Sequence, residues 1–331
     1  MPRVSVILNS FNQGRYLATA VESVLNQKFA DYELIAIDNG STDDSRAILQ
    51  RYASDPKVRL FLHDTNVPVT RRFNEGIEAA RGELISFLYS DDYYLPAKLE
   101  RQVAEFDRLD PEYGVVYSRG YGLNDLTGKM WLTPSFGASG WIFREMCLEH
   151  LRGSIDMIAP LIRRTCLQRY PFHEDIFAEG EAIYFRIALR HKFSFIDEPL
   201  VVIRDHDKNA GKALKRNAQM TFTSIAKLEQ EADFRDECRP WLRHYRAAVY
   251  RSYGWQGVRL SDDMAWTRSC FRNAIKTDWK MALHPKTVAG VVLSCLPARL
   301  RTRINALGTR MRGKPSNDIY VQDYGGSISN Y

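Results

Sequence analysis

The chain has five cysteines, Cys147, Cys166, Cys238, Cys270 and Cys295, and no two of them form a C-x-x-C pair. This excludes a disulfide framework and a thiolate zinc site and points to a reducing compartment, the cytosol. No apolar run approaches the roughly 18 residues that a membrane-spanning helix needs. The chain start runs almost directly into a strand pattern, so no secretory leader is expected. There is no low-complexity tract and no internal repeat. Residues 285–315 contain no acid, while Lys286, Arg299, Arg301, Arg303, Arg310, Arg312 and Lys314 put seven positive charges there. The whole chain carries only +6, so everything outside that segment sums to −1. The basic character is therefore local, and a nucleic-acid partner is not expected.

What is present is an alternation of strands and helices. Residues 4–8, 33–37, 58–62 and 84–88 read as strands. Residues 16–26, the stretch up to about 52 that follows Ser41 and Asp44, and residues 69–80 read as helices. Ser41 with Asp44 suits a variant of the capping box. This rhythm predicts βαβ units, a mostly parallel sheet and right-handed crossovers. Further along, strands are predicted at 114–121, 158–162 and 200–203, a hairpin turn at 124–128, and helices at 141–150 and 179–191. Beyond residue 210 the pattern is helical to about 312, and 315–331, rich in Gly, Ser, Asn and Tyr, is expected to be disordered. The organisation is thus an α/β domain over 1–209, a helical appendage over 210–314 and a tail.

The chemistry gathers at strand ends. The apolar run 84–88 leads into Ser90-Asp91-Asp92, and Pro96 then offers a helix start. Ligands of open α/β sheets bind outside the carboxyl ends of the strands. Two acids there suit a divalent cation that in turn holds phosphates, although Asp also favours plain turns and helix caps. Asp38 ends the second strand, and Ser10-Phe11-Asn12 follow the first. All three ends share one rim, where a base would find polar groups and a ring face.

Six segments come in order at matching spacing: 4–12, Ser23-Val-Leu-Asn-Gln27, 33–43, Asn74-Glu-Gly-Ile77, Ala80-Arg-Gly-Glu83 and Ser90-Asp-Asp92. Together they resemble the inverting family 2 of nucleotide-sugar glycosyltransferases, of the bacterial surface-polysaccharide type. The resemblance is clear over about residues 3–120 and weaker to about 209. It implies a GT-A fold, a Rossmann-like, mostly parallel sheet flanked by helices, here with a C-terminal helical appendage. It implies nucleotide contacts at Ser10, Phe11 and Asn12, base reading at Asp38, and donor contacts at Asn74, Asp91 and Arg204. Mn²⁺ or Mg²⁺ would sit at Asp91 and Asp92, with His206 as a third ligand or phosphate contact.

The sequence also departs from the family pattern. Tyr89 stands where the first acid of Asp-x-Asp-Asp is usual, Pro68 replaces a Gly, and Phe73 replaces an Arg. Arg71 and Arg72 stand nearby, either to neutralise phosphate or to lie on a solvated helix face. The family's catalytic base is an Asp six residues ahead of an Arg, and counting back from Arg186 lands on Gly180. Glu179 and Glu181 flank that place; Glu179 is favoured by register, Glu181 is second, and Glu174 or Asp175 follow. Trp131 and Trp141 suit either sugar stacking or the core. The expected activity is metal-dependent transfer of a sugar, from a uridine diphosphate donor, to a glycan, glycolipid or lipid-linked acceptor. The basic amphipathic pattern at 286–314 adds an expected peripheral contact with the inner membrane face. Two rival readings are a nucleotidyltransferase, which usually has a more glycine-rich first loop, and a degenerate relative that binds nucleotide-sugar or scaffolds a complex.

Overall fold

A computed structural model of the chain describes residues 1–150, 152–177, 179–207, 213–261 and 263–311, with side chains to Ile304. The expected tail at 315–331, and with it Arg312 and Lys314, lies outside the described residues. Contacts divide the rest into two compact units, one of residues 1–146 and 152–207, the other of residues 147–150 and 213–311.

The first unit is built on nine strands, counted among the described residues. They are β1 (Val4–Ser10), β2 (Tyr32–Asn39), β3 (Val58–His63), β4 (Leu84–Tyr89), β5 (Tyr93–Tyr94), β6 (Tyr113–Asn124), β7 (Met130–Leu132), β8 (Leu161–Arg163) and β9 (Lys192–Asp205). The sheet order is β3-β2-β1-β4-β8-β6-β9-β5, with β7 paired to β6 as a hairpin. The parallel half is β3-β2-β1-β4, as the alternation of strands and helices requires. Beyond β4 the sheet is mixed: β8 runs antiparallel to both β4 and β6, while β6 and β9 are parallel.

The apolar runs of β1 and β2 reflect burial on both faces. Helices α1 (Gly14–Leu25), α2 (Ser45–Gln50) and α3 (Val69–Ala79) link the first strands, and α4 (Lys98–Phe106) follows β5. Val4, Val6 and Leu8 face a core shared with Leu17, Val21 and Val24 of α1, Ile48 and Leu49 of α2, and Leu99 and Phe106 of α4. Ile7, on the opposite face, meets α3 at Gly76, where an added Cβ would lie 2.5 Å from Ile7 Cγ2. The glycine of the Asn-x-Gly-Ile segment is thus a packing requirement. Against β4, the fully buried Lys98 donates from Nζ to Ser86 Oγ at 2.7 Å and Gln102 Oε1 at 2.9 Å. Burial pushes its pKa well below that of an ordinary lysine.

Three expectations shift. The capping box at Ser41 does not form: Ser41 Oγ accepts from Asn12 N–H instead, and Asp43 Oδ1 takes the Ser45 N–H at 3.0 Å. The strand expected at 200–203 begins at Lys192, because β6 pairs with it through a register shift at Ser118/Arg119. That bulge leaves Asp197 and Glu198 outside the β6–β9 register and brings Arg119 opposite Pro199, so that 197–199 read as a strand break. The helix expected at 179–191 is only α7 (Ala182–Ile187), after α5 (Phe143–Glu149) and α6 (Arg164–Arg169). Gly180 has φ +56°, a left-handed residue that turns the chain just before the helix.

The second unit contains α8 (Leu214–Leu228), α9 (Arg239–Leu260), α10 (Met264–Thr277), α11 (Pro285–Ser294) and α12 (Ala298–Met311), with short 3₁₀ turns at Asp236–Cys238 and Trp279–Leu283. Ala247, Ala248, Ala274 and Met281 form a small core there. Among the described residues no helix is long and apolar enough to cross a membrane.

Candidate active site

The parallel register sets the motifs side by side. Ser10 pairs with Asp38 and Asn9 with Tyr89, so the ends of β2, β1 and β4 lie in adjacent rows. Asp38 is fully buried. Its Oδ2 accepts the Ser41 N–H at 3.2 Å, and Arg46 Nε lies 3.7 Å away. Its Oδ1, together with Ser10 Oγ and Asn9 Oδ1, is buried with no hydrogen-bond partner among the described residues. Unpaired buried polar atoms are costly and rare, and three at adjoining strand ends mark a place for a polar ligand. Phe11 is exposed beside them. Asn12, at φ +52°, uses its side chain locally, Oδ1 accepting the Thr42 N–H at 2.8 Å. It shapes the 41–43 loop that edges the site.

The acids after β4 meet the end of β9. Asp92 is buried, and its Oδ1 accepts the Arg204 N–H at 2.8 Å. Burial first, then the neighbouring Asp91, hold its pKa well above the usual carboxylate range. Asp91 Oδ2 faces His206 Nε2 at 3.1 Å. The His206 ring stacks on Tyr16, with centroids 5.2 Å apart. Arg204 donates from Nε to the Asp91 carbonyl at 3.0 Å and from Nη1 to Asp125 Oδ1 at 3.3 Å, and its guanidinium lies over Tyr16 and Tyr93. Asp91, Asp92, Arg204 and His206, predicted from two ends of the domain, are therefore one cluster.

Two acids complete it. Asp156 Oδ2 accepts from Thr133 Oγ1 at 2.9 Å, and burial pushes its pKa up to about 6. Glu181, just before α7, has a pKa pushed up to about 8 by burial and by Asp156, against a hydrogen bond from Ser154. The residue as a whole is nevertheless exposed to solvent. Tyr89, whose phenol is raised first by burial, feels Asp91, Asp92 and Glu181 together. Three carboxylates thus act on Tyr89, and Asp156 acts on two of them, Asp92 and Glu181.

Other predicted residues have contacts of their own. Glu179 is buried in a network of its own: Oε2 accepts the His173 N–H at 2.7 Å, and Oε1 meets His173 Nδ1 at 3.0 Å and Arg186 Nη1 at 3.3 Å. Asn74 clamps the 172–174 segment, with Oδ1 accepting from Phe172 N at 2.9 Å and Nδ2 donating to Phe172 O at 3.0 Å and Glu174 Oε1 at 3.1 Å. Arg72 is buried and donates to Asn39 Oδ1 at 2.8 Å. It braces the end of β2 and does not lie on a solvated helix face. Sequence reasoning missed Asp156, Asp125 and Tyr16. Asp125 read as a turn acid, and Asp156 stands in a Gly-Ser-Ile-Asp loop with no periodic pattern to flag it.

Among the described residues no group of three or more His, Cys, Asp or Glu forms a ready metal cage. The residues present still fit a cation of the Mg²⁺ or Mn²⁺ kind. Such ions take one or two carboxylates and complete their shell with substrate phosphates and water. Asp91 and His206 converge within 3.1 Å.

A sheet whose parallel half carries an acidic motif after its fourth strand and unsatisfied polar groups after its first two defines an α/β domain with its polar groups gathered at one rim. The model of glycosyl transferase family 2 matches residues 5–193. The chain belongs to that family, and its fold is GT-A. It is similar to an uncharacterized glycosyltransferase of Rickettsia felis, 26% identical over 304 residues, covering 88% of this chain and 48% of that protein. It is also 38% identical over 119 residues to the chondroitin synthase of Escherichia coli, covering 36% of this chain and 17% of that one. The chain spans half or less of the length of these relatives. Among solved structures, Staphylococcus aureus TarS 1–349 in complex with UDP superimposes with a TM-score of 0.63 at 17% identity, covering 98% of both chains. The mannosyltransferase PcManGT of Pyrobaculum calidifontis, in complex with GDP-Man and Mn²⁺, gives 0.60 at 16% identity, covering 95% of this chain and 88% of that one.

Proposed function

We propose that the chain transfers a sugar from a nucleoside diphosphate sugar, with uridine as the base, to an acceptor hydroxyl in one inverting displacement. The observation that carries this reading is the pairing of two sites on one rim. Unsatisfied Asp38, Ser10 and Asn9 lie at the ends of β2 and β1, and the carboxylate cluster lies at the end of β4. The first site suits a base edge, the second a diphosphate. Mn²⁺ or Mg²⁺ held by Asp91, Asp92 and His206 would supply positive charge to the leaving diphosphate.

Glu181 is the base. The acceptor oxygen attacks the anomeric carbon, the bond from that carbon to the diphosphate oxygen breaks, and the acceptor proton passes to the Glu181 carboxylate. A base works best with a pKa near the operating pH, which burial and Asp156 give Glu181. Glu179 becomes a positioning residue: its network with His173 and Arg186 fixes the turn that presents Glu181. Arg204 holds Asp91 and Asp92 in place through backbone and side chain.

Incubation with a panel of nucleotide-sugars and Mn²⁺ tests the proposal. Slow release of free sugar and nucleoside diphosphate supports it. Pyrophosphate chemistry favours a nucleotidyltransferase, and binding without turnover favours a degenerate binding protein. The acceptor we propose is lipid-linked, at the inner face of the membrane. On α11 and α12, Val288, Val291, Val292, Leu300 and Ile304 are exposed among Lys286, Arg299 and Arg303, which suits an anionic lipid surface. Arg301, counted with them from sequence, is buried. Flotation with anionic liposomes at low salt, comparing the full chain with a chain ending near Pro285, tests this; equal capture rejects it.

A further inference from the structure

We propose that Asp125 and Tyr16 are positioning residues of the cation site: Asp125 is its anchor, and Tyr16 carries the constraint to the His206 ring. The inference rests on the reading of Asp91, Asp92 and His206 as ligands of a divalent cation.

Asp125 directly follows β6, whose last residue, Asn124, pairs with Asp205 of β9. Its N–H donates to the Asp205 carbonyl at 3.0 Å. Its Oδ1 accepts from Arg204 Nη1 at 3.3 Å, and its Oδ2 accepts from the Tyr16 hydroxyl at 2.8 Å. Arg15 Nη2 lies 2.8 Å from the same Oδ2. The Asp125 side chain is 8% exposed, so these bonds form where water competes little and a hydrogen bond is stronger. Asp125 thus holds Arg204 and Asp205 directly and reaches His206 through Tyr16. Three successive residues at the end of β9 are fixed from one acid.

Tyr16, in the first turn of α1, is itself buried. Its ring stacks on His206 with centroids 5.2 Å and planes 25° apart, and the Arg204 guanidinium lies 4.8 Å from the ring centroid. A ring tied at its hydroxyl and packed along its body has little freedom to turn. A histidine ligand works only when its ring plane aims a nitrogen lone pair at the ion, and groups outside the ligand set supply that aim. The stack on Tyr16 fixes the plane of His206 while Nε2 faces Asp91 Oδ2 at 3.1 Å. Arg204, held by Asp125, in turn donates from its N–H to Asp92 Oδ1 and from Nε to the Asp91 carbonyl. All three ligands therefore lead back to Asp125, an acid outside the ligand set.

A latch of α1 onto β9 with no part in the site would affect stability alone, whereas a positioning role affects cation affinity. The test uses the full chain and Mn²⁺ as the probe, titrated with and without excess uridine diphosphate. Electron paramagnetic resonance counts free Mn²⁺, its pulsed form reads coupling of bound Mn²⁺ to a histidine nitrogen, and Tm is measured alongside. Wild type should bind Mn²⁺ with a nitrogen coupling that His206→Ala abolishes. Tyr16→Leu and Asp125→Ala should weaken Mn²⁺ binding by about tenfold or more and reduce that coupling. Tyr16→Phe keeps the ring and drops only the hydroxyl, so it should lose less affinity than Tyr16→Leu and retain the coupling. If Tyr16→Leu fails to fold, Asp125→Ala and Tyr16→Phe decide the matter. Wild-type Kd and coupling in Tyr16→Leu and Asp125→Ala, with only Tm lowered, overturns the inference and leaves the cation reading standing. Mn²⁺ bound to wild type without nitrogen coupling also overturns it, because His206 is then no ligand. No Mn²⁺ binding by wild type in either condition removes the cation reading and this inference with it.

Discussion

Replacing Glu181 by Gln removes one oxygen's worth of basicity and almost no volume. If Glu181 accepts the acceptor proton, the substitution should lower kcat by about 10²-fold or more. That corresponds to roughly 2.7 kcal/mol or more of lost transition-state stabilisation. Nucleotide-sugar affinity should not move, because Glu181 lies in the acid cluster and not among the polar groups near Asp38. The pH response gives a second, independent readout. Burial and Asp156 raise the Glu181 pKa from 4.5 to about 8. In wild type, kcat/KM should therefore climb as pH rises toward about 8 and flatten above it; Glu181→Gln should lose that limb.

The same shift fixes the sign of the stability effect. A carboxyl whose folded pKa lies above its unfolded value favours the fold in its protonated form. That contribution is present in full below about 4.5 and is lost as pH rises through about 8. Gln cannot ionise, so Glu181→Gln should gain Tm relative to wild type across that interval and hold the gain above it. Lower turnover with equal or higher stability is the signature of an acid kept for chemistry. Wild-type turnover in the variant would refute the assignment, and so would a loss of both activity and Tm at alkaline pH.

Glu179→Gln should behave in the opposite way: it breaks the buried pair with Arg186 and should cost about 3–5 kcal/mol, read in urea unfolding, with the residual activity keeping its wild-type pH profile. Asp38→Ala should weaken uridine diphosphate binding by about 1–3 kcal/mol in calorimetry, and equal wild-type affinity for uridine, guanosine and adenosine diphosphates would rule out base reading. Asp91→Ala should abolish most turnover while leaving Tm nearly unchanged. In wild type, EDTA should remove activity and Mn²⁺ or Mg²⁺ restore it, so full activity in chelator would dismiss the metal.

The parallel half of the sheet and its rim were legible because their signals are local. An apolar run buried on both faces, then a turn of Asp, Asn, Gly and Ser, states both the strand and the end that bears chemistry. Asp38, Asp91 and Asp92 followed from that rule. The acceptor side was less legible because it is assembled from contacts with no sequence period. Asp156 reaches the cluster from an irregular loop, and the bulged pairing of β6 with β9 hides most of the strand that delivers Arg204 and His206. Register with the family pointed to Glu179; Gly180 at φ +56° turns the chain there, and the base we propose, Glu181, is the one that feels Asp156.

The departures at 73 and 89, the second of which with Gly180 kept the degenerate reading alive, are in contact with one another. Tyr89 stands where an acid is usual and Phe73 where an Arg is usual, and their rings pack with centroids 5.6 Å apart. Phe73 also packs on Phe87 at 4.7 Å and Phe172 at 5.4 Å, and Phe172 is the residue clamped by Asn74. In the common pattern the two positions would carry opposite charges; here they carry two rings. An exchange that alters both positions while keeping them in contact preserves the support under the rim and removes one acid from it. Of the carboxylates that remain, Asp91, Asp92 and Glu181 still act on the same ring, and Asp156 acts on Asp92 and Glu181. Loss of the first acid therefore does not by itself make the site inert, and the degenerate reading rests on whether Glu181 takes a proton.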